Sequence, residues 1–377
     1  MLAWFQKAAY LPIVRNPNDI PHYPPLFLVR ISEKVRQVFL KMNRRFTHPN
    51  VVMWEMVHNM WLAAGISVVA ELGIADMLRK GARPVRELAA LSDTHEDSLY
   101  RVMRMLASQG IFRERKDRSF ERTPLSVPLQ DDQIRYLILL HLNRNQFELF
   151  GQLMLSVRTG DTVKGKHSGK ALFDHIGNDE KKNEWFNRAM TNASRMQLAA
   201  ILPAFPFRKY RTIIDIGGGE GYFLASILGR APQSRGILFD LPHALENFPD
   251  LMASRRLTGR LEARGGDFFE EVPGGGDLYI LKSVLHDWDD DFSVQILRNV
   301  HKAMHPRARV LLIEAVLDEG NKAAFGKMTD ILMMAAAGGR ERTRSQWENL
   351  LELSGFRIRK IHATISHFSI IEAMLIS

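Results

Sequence analysis

A histidine followed by a run of acids, in the segment ILKSVLHDWDDD at residues 280–291, could carry out acid–base chemistry. Neutral imidazole has a pKa of ~6.5 and a phenol ~10, so His286 can accept the proton of a hydroxyl group as its oxygen attacks an electrophile. The adjacent carboxylate of Asp287 would stabilise the imidazolium that forms. A structural interpretation stands beside this one, because His286 precedes a predicted helix whose Asp290 and Asp291 favour its N-terminus electrostatically.

The glycine-rich segment IIDIGGGEGYF at residues 213–223 predicts a nucleotide-binding turn between a strand and a helix. Gly217 and Gly219 would form the turn. The spacing differs from that of a dinucleotide site, because Tyr222 stands where the third glycine of G-x-G-x-x-G belongs. Asp215 ends the strand, where its charge would repel a pyrophosphate and attract a cation. A nicotinamide oxidoreductase is therefore the weakest functional hypothesis.

Two more acids follow the next two predicted strands. Asp240 lies about 20 residues past the turn, where a carboxylate receives ribose hydroxyls. Asp267 ends the third strand, near the expected place of an adenine ring. Acids at the ends of three successive strands suit an adenosine that carries positive charge and no phosphate, which describes S-adenosylmethionine. The alternative is that the glycines only form a tight turn and the acids are solvated loop ends.

After Arg211 the chain alternates predicted strands and helices, which is typical of a doubly wound α/β domain with a largely parallel sheet. The predicted strands span 211–216, 235–240, 260–264, 277–284 and 308–314, with a further pair of strands at the end of the chain. The predicted helices span about 220–229, 243–254 and 292–304. Ligands of such sheets bind outside the carboxyl ends of the strands. His286 follows the fourth predicted strand and therefore lies at the edge where a ligand would bind.

Residues 84–123 have the pattern of a winged helix: a short helix, a turn, a second helix and a hairpin. Thr94 and Asp97 predict a capping box at the start of the second helix. DNA binding is one hypothesis, because the hairpin carries several arginines. Acids at the start of the second helix would repel the DNA backbone, so we favour a structural winged helix that forms a dimer.

The first 50 residues carry eight Lys or Arg and two acids, and so supply most of the net charge of +9. Five prolines in residues 11–25 exclude regular structure there. Residues 26–42 have apolar groups at helical spacing. We favour an arm that packs on its own body or on a second subunit. The alternative is a basic amphipathic helix, residues 26–45, in peripheral contact with a membrane surface.

The composition, 46% hydrophobic and 25% charged over 377 residues, is typical of a soluble globular protein with a sizeable core. There are no cysteines, which excludes disulfides, thiolate metal sites and a cysteine nucleophile. No apolar run reaches the ~18 residues of a membrane span, and the N-terminus lacks the features of a secretion signal. We expect a cytoplasmic protein without a metal site.

Five segments together resemble the S-adenosylmethionine-dependent O-methyltransferases of the caffeate/acetylserotonin type, which include many bacterial natural-product enzymes. The segments are IIDIGGGEGYF, FDLPHALEN, GDFFEEVPGGGDLYILKSVLHDWDDD, GGRERTRSQWENLLELSGF and FSIIEAM. The resemblance covers about residues 55–377. It implies a homodimer with intertwined N-terminal domains. It does not cover the basic N-terminal extension at 1–50, which is unusual for the family. The domains that follow would be a winged-helix dimerisation domain at 51–132, a helical acceptor-binding linker at 133–205 and a Rossmann-like, cofactor-binding catalytic domain at 206–377.

The resemblance also implies roles for individual residues. His286 would be the general base, with Asp287, Glu341 and Glu372 as the acids around it. The cofactor site would comprise Ser194, Asp215, Gly217, Gly219, Asp240, Leu241, Asp267, Phe268 and Lys282. A flat acceptor would lie among Phe186, Met190, Trp288 and Met333. Methionines at helical spacing ordinarily belong to a core, and Trp288 suits packing equally well.

The stretch DILMMAAAGGRER at residues 330–342 is rich in alanine and methionine, which favours a wide, apolar acceptor. The leading hypothesis is methyl transfer to a hydroxyl of a small aromatic or polycyclic lipophilic compound, such as a polyketide or a carotenoid alcohol. One alternative keeps the fold and cofactor for hydroxylation or cyclisation, or for C-methylation of a tetrapyrrole. Another is a winged-helix DNA-binding regulator.

Overall fold

The computed structural model describes residues 26–163, 180–248 and 257–376. The chain forms two compact units. The N-terminal unit comprises Met1–Phe147 and Arg188–Ala193, and the C-terminal unit comprises Glu148–Asn187 and Ser194–Ser377. The proline-rich stretch 11–25 and the second half of the predicted helix 243–254 lie outside the described residues.

The N-terminal unit contains the predicted winged helix. Its helices are α1 (Leu26–Phe46), α2 (Pro49–Glu71), α3 (Ile74–Met77), α4 (Val85–Leu91) and α5 (Glu96–Ser108). Its strands are β1 (Arg83–Pro84), β2 (Phe112–Glu114) and β3 (Ser119–Arg122), which form an antiparallel sheet in the order β1-β3-β2. Leu99, Met103 and Leu106 of α5 pack against Phe112 and Phe120 of the hairpin, and this apolar contact fixes the sheet on the helices.

Helices α2 and α3 are separated at Gly73, whose φ of 69° is one that residues with side chains rarely adopt. One local prediction in this unit is corrected. The predicted capping box of Thr94 and Asp97 does not form. Instead His95 is the N-cap of α5, and its ring nitrogen accepts a hydrogen bond from the Ser98 backbone N–H.

The arginines of the hairpin make contacts within the unit. Arg113 and Arg115 form ion pairs with Glu121, Arg118 lies over the Tyr100 ring, and Arg122 donates to a backbone carbonyl. The helix that would enter a DNA groove opens with Glu96 and Asp97. These contacts support the structural interpretation of the winged helix.

Within the described residues, four helices lie in the chain between the winged helix and the sheet of the C-terminal unit. They are α6 (Arg135–Leu142), α7 (Arg144–Gly151), α8 (Leu153–Thr159) and α9 (Glu180–Ile201). The mainly helical character predicted for 133–205 is therefore confirmed over the described residues. Helix α9 contributes Arg188–Ala193 to the N-terminal unit and its remaining residues to the C-terminal unit.

The C-terminal unit is the predicted doubly wound α/β domain. Its strands are β4 (Thr212–Ile216), β5 (Arg235–Asp240), β6 (Leu261–Gly265), β7 (Leu278–Lys282), β8 (Arg309–Leu317), β9 (Arg342–Thr343), β10 (Phe356–Ala363) and β11 (Phe368–Leu375). The main sheet has the order β10-β11-β8-β7-β4-β5-β6, with β9 paired to the end of β8. Strands β8, β7, β4, β5 and β6 run parallel to one another. Strand β11 is antiparallel to both of its neighbours, β8 and β10. The helices are α10 (Tyr222–Arg230), α11 (Asp290–Ala303), α12 (Gly326–Ala336) and α13 (Arg344–Leu353).

The sheet register brings the chemically interesting loops to one edge. Ile216, the last residue of β4, is paired with Phe239 of β5 and Leu281 of β7. The turns that follow these three strands therefore leave the sheet side by side. Because β4 lies between β5 and β7, this edge includes the point where the strand order reverses, which is where such sheets bind ligands.

No helix in the described part of the chain combines the length and the apolarity that crossing a bilayer requires.

Candidate active site

His286 lies in a short turn, Leu285–Asp287, just beyond the end of β7. The chain enters this turn through Ser283, whose φ of 55° is uncommon for a residue with a side chain and reverses the backbone sharply. The side chain of His286 keeps 15% of its surface exposed, so an acceptor can reach an otherwise buried imidazole.

Glu314 of β8 is the main residue that the sequence analysis missed. Its side chain is fully buried, and Oε1 accepts hydrogen bonds from the backbone N–H groups of Val284 and Leu285, both at 3.0 Å. Its Oε2 lies 3.4 Å from His286 Nδ1. Glu314 thus fixes the turn and places negative charge against the imidazole. The sequence contained one signal that could have identified Glu314: it is a lone acid in the apolar strand LLIEAVL. A charge buried in such a strand requires a partner.

Glu341 and Asp287 complete the surroundings of the imidazole. Glu341 Oε1 lies 3.4 Å from His286 Nδ1 and accepts a 2.8 Å hydrogen bond from the Thr329 hydroxyl. The Glu341 backbone N–H donates to Asp330 Oδ1 at 2.9 Å. Asp287 Oδ1 lies 3.5 Å from His286 Nε2. These distances to the ring are those of ion pairs and are longer than normal hydrogen bonds.

Glu372 does not belong to this group. Its carboxylate accepts hydrogen bonds from Arg359 and from His362, which fully accounts for its burial. In the sheet Glu372 lies opposite Leu311 of β8, three residues from Glu314. Side chains alternate between the faces of a strand, so the two glutamates point to opposite sides of the sheet. We therefore withdraw Glu372 as a partner of the base.

The charges around His286 determine its protonation. Burial alone would lower its pKa, but Glu314, Asp287 and Glu341 outweigh burial and raise it to about 10. Burial raises the pKa of Glu314 to about 7 and that of Asp287 to about 6. Burial would also raise the pKa of Glu341, but its interaction with His286 and the hydrogen bond from Thr329 hold it below its usual range. The free site therefore favours an imidazolium, in place of the neutral ring expected from the sequence.

The same cluster has the spacing of a metal site. Ligand atoms of His286, Glu314 and Glu341 lie within 4.8 Å of one another. A protonated imidazole is not a metal ligand, so a metal ion bound here would have to displace the proton of His286.

Arg342 holds the loop that carries His286. Its guanidinium is 1% exposed and donates to the carbonyl oxygens of Leu285 at 2.9 Å and Trp288 at 3.0 Å. It also forms an ion pair with Asp290 at 2.7 Å. Gly339 packs against the same loop so closely that a Cβ there would lie 2.0 Å from the His286 carbonyl oxygen. The segment GGRER therefore supplies Glu341 and also fixes the position of the base.

The glycine turn and Asp240 form a connected unit at the end of β4. A Cβ on Gly217 would lie 2.8 Å from a methyl group of Val284, and its φ of 66° also requires glycine. The Asp240 carboxylate accepts hydrogen bonds from the backbone N–H groups of Gly219 and Leu241, both at 2.7 Å. These bonds hold the carboxylate beside the turn, where the predicted ribose would lie.

Asp215 has the character expected of a group that binds a cation. It is 1% exposed, and neither carboxylate oxygen has a hydrogen-bond partner among the described residues. Burial raises its pKa to about 7, which nearby Lys282 partly opposes. Lys282 donates to Gln197 of α9 at 3.3 Å, and the buried Ser194 lies one helical turn from Gln197. An unsatisfied buried carboxylate, a glycine cradle and a ribose-type acid fit S-adenosylmethionine.

The aromatic residues near this edge divide between two roles. Asp267 accepts from the Phe269 backbone N–H at 2.8 Å, which orders the turn that carries Phe268. Trp288 is buried in the core, with ring centroids 6.0 Å from Phe268 and 4.7 Å from Phe269. The structure therefore supports packing beneath Phe268 as the role of Trp288, and corrects its assignment to the acceptor surface.

The three remaining acceptor candidates lie on helices. Met333 is half-buried on α12, one turn after Thr329, whose hydroxyl bonds Glu341, so it lies on the active-site side of that helix. Phe186 is half-buried on α9 in the C-terminal unit. Met190 is also half-buried but belongs to the N-terminal unit.

His367, between β10 and β11, is a second titratable group that the sequence analysis missed. Burial lowers its pKa, and the charge of Glu341 opposes that shift. Its ring lies 4.8 Å from that of Phe325, just before α12. No sequence signal distinguished it from an ordinary turn histidine.

Comparison with known proteins points to one family. Residues 150–357 match the family model described as an O-methyltransferase domain, and residues 54–130 match the O-methyltransferase dimerisation domain. Phenazine O-methyltransferase PhzM of Lysobacter antibioticus is 36% identical over 325 residues, which is 85% of this chain and 95% of that protein. Mitomycin biosynthesis 6-O-methyltransferase of Streptomyces lavendulae is 36% identical over 310 residues, 81% of this chain and 88% of the relative.

Solved structures agree with the sequence relatives. The O-methyltransferase NcsB1 from neocarzinostatin biosynthesis was crystallised with S-adenosylmethionine and 2-hydroxy-5-methyl naphthoic acid. It is similar with a TM-score of 0.73 and 28% identity, covering 84% of this chain and 96% of that one.

The role of Arg342 can be tested by stability. Arg342→Met should lower the free energy of unfolding by about 2–4 kcal/mol, because two buried carbonyl groups lose their donor. Arg340→Met is the matched control, since Arg340 also faces Asp290, at 3.8 Å, but is half-exposed. It should change stability by less than about 0.5 kcal/mol. Urea unfolding of both variants measures the difference, and equal losses would contradict the role.

The raised pKa of His286 can be observed directly by NMR of labelled imidazole in the free enzyme with a chelator present. The ring should remain protonated at pH 8 and titrate near 10. Because the folded pKa is raised, pairing of the imidazolium with the carboxylates contributes to the free energy of unfolding. This contribution is fully present below the unfolded pKa of ~6.5 and is lost as pH rises through the folded pKa. Glu314→Gln should lower the midpoint, because one negative neighbour is removed. Glu348→Gln, on the exposed side of α13, should leave the midpoint unchanged. A midpoint of ~6.5 in the wild-type enzyme would refute the raised pKa of His286.

Proposed function

The chain belongs to the O-methyltransferase family and uses S-adenosylmethionine, and from this premise we propose that His286 mediates proton removal during methyl transfer to a hydroxyl of a flat, fused-ring aromatic acceptor. The observation that carries the proposal is the partly exposed imidazole held among three carboxylates beside the glycine turn. The unsatisfied carboxylate of Asp215 at the same edge supports a cationic cofactor there.

When bound, S-adenosylmethionine supplies an electrophilic methyl group on a sulfonium. The residues of this chain control the acceptor proton. A phenol with a pKa of ~10 and an imidazolium of similar pKa exchange a proton at little free-energy cost. Glu314 and Glu341 stabilise the imidazolium, so His286 can hold the acceptor oxygen as a phenolate. His286 in its neutral form would accept the proton of the acceptor hydroxyl, which would leave the oxygen free to take the methyl group that the cofactor supplies; the imidazolium would return the proton to solvent afterwards.

A cation held near Asp215 changes the protonation of His286. Positive charge at that position disfavours a second positive charge on the imidazole, so the pKa of His286 should fall when the cofactor site is filled. The shift moves the ring toward the neutral form that accepts a proton. Glu314, with its two backbone hydrogen bonds, stays in place through the change.

The acceptor is inferred from the apolar residues on the active-site side of α12 and from the relatives. Met333 contributes a half-buried thioether, and Phe186 of α9 is an aromatic candidate. We assign Met190 to the acceptor on the resemblance alone. The relatives act, by their names, on phenazine and mitomycin compounds, and NcsB1 holds a naphthoic acid. Fused aromatic rings that carry an acidic hydroxyl are the class that fits both lines of support.

The other hypotheses have less support. Hydroxylation or cyclisation would not require a base paired with carboxylates, and C-methylation of a tetrapyrrole has no observation in its favour. A DNA-binding regulator is disfavoured because the hairpin arginines are paired and α5 opens with acids.

Methyl transfer itself is tested with a panel of hydroxyphenazines and hydroxynaphthoates and purified enzyme. The expected product gains the mass of one methyl group, and an equal amount of S-adenosylhomocysteine is released. Turnover should be unchanged by a chelator, because the proposed chemistry uses the imidazole and not a metal. Hydroxylated or cyclised products without a methyl gain would overturn the proposal, and preference for small soluble phenols would overturn the fused-ring assignment.

The role of His286 is tested by His286→Ala, with His305→Ala as the control because His305 is half-exposed and pairs with Asp277 outside the site. The first change should lower kcat by about 10²–10⁴-fold and leave the Kd of S-adenosylmethionine nearly unchanged. The control should retain wild-type kcat. Wild-type turnover in His286→Ala would remove it as the base.

A further inference from the structure

Helix α1 carries an apolar stripe that the described chain does not cover. Phe27, Ile31, Val35, Val38 and Met42 recur at helical spacing, and each is between 44% and 60% exposed. Among the described residues, α1 makes no extensive contact with another helix or strand. A stripe of this kind on an ordinary surface helix faces a core, whereas this one has no such partner in the described part of the chain.

The first half of α2 continues this apolar surface. Its large exposed apolar side chains are Val51, Met53, Trp54, Met56, Val57, Met60 and Trp61. They point in all directions around the helix, and Glu55 is the one charged residue among them. A helix that is apolar on every side is normally buried, whereas a monomer rarely leaves such a patch open.

We propose that the stripe of α1 packs against a second copy of this chain, as an extension of the dimer interface beyond the dimerisation domain. The dimerisation domain begins at residue 54, inside the exposed half of α2, and α1 joins this helix through a two-residue link. The apolar surface therefore extends without interruption from the start of the dimerisation domain into α1. The inference rests on that domain and not on the chemistry proposed for His286.

A membrane surface is the competing occupant. It would suit a helix with one apolar face flanked by basic residues, and Arg30, Lys34, Lys41 and Arg45 do form a basic line beside the stripe. It would not suit the all-round apolar half of α2, which is continuous with the stripe, because a flat surface covers one side only. A protein partner encloses both helices.

Site-specific photo-crosslinking tests the proposal in the full chain, which is free of cysteine. A benzophenone maleimide is attached to Met42→Cys, on the stripe, or to Arg44→Cys, about 200° away around the helix. After irradiation, Met42→Cys should give at least tenfold more covalent dimer than Arg44→Cys. Anionic vesicles should leave this ratio unchanged. Equal yields, adducts confined to one chain, or adducts formed only with lipid would overturn the proposal.

An equilibrium measurement checks the same interface without a probe. Ile31→Glu combined with Met42→Glu should raise the dimer dissociation constant at least tenfold in sedimentation experiments. Ser32→Glu combined with Arg44→Glu, at exposed positions off the stripe, should leave it within twofold. The same dissociation constant for both double variants would refute the docking of the stripe.

Discussion

The burial of a charged imidazole among carboxylates is the constraint on which the rest of the active site depends. Charges removed from water are costly unless they are paired and hydrogen-bonded. Glu314 meets this requirement through two backbone N–H groups, and Glu341 through the hydroxyl of Thr329. The raised pKa of His286 therefore requires strand β8, helix α12 and the loop after β7 to be folded together.

The backbone contacts of the segment 338–342 show how one short stretch serves structure and chemistry together. Gly339 allows the segment to touch the loop of His286, and Arg342 ties that loop down by its carbonyl groups. Between them, Glu341 reaches the imidazole. A site assembled this way has little freedom to shift, since each functional group shares its support with its neighbours.

Periodicity and motif spacing predicted the fold well, because the buried parallel strands and the glycine turn have strong local signals. The partners of the base were harder to predict. Glu314 and Glu372 are both lone acids in apolar strands, and only the pairing register decides which face each one occupies. Arg342 was missed for a related reason, since a local sequence does not show that a guanidinium will be buried under a distant loop.

Lys282 links the two halves of the site. Burial lowers its pKa, while the charges of Asp215 and Glu314 both oppose that shift, so the lysine interacts with the carboxylate of each half. Ligand charge and proton occupancy are then thermodynamically linked, and the linkage is reciprocal. S-adenosylmethionine and S-adenosylhomocysteine differ by one positive charge, so loss of protons from the cluster favours the former. The enzyme's preference for its cofactor over the spent product thereby increases with pH.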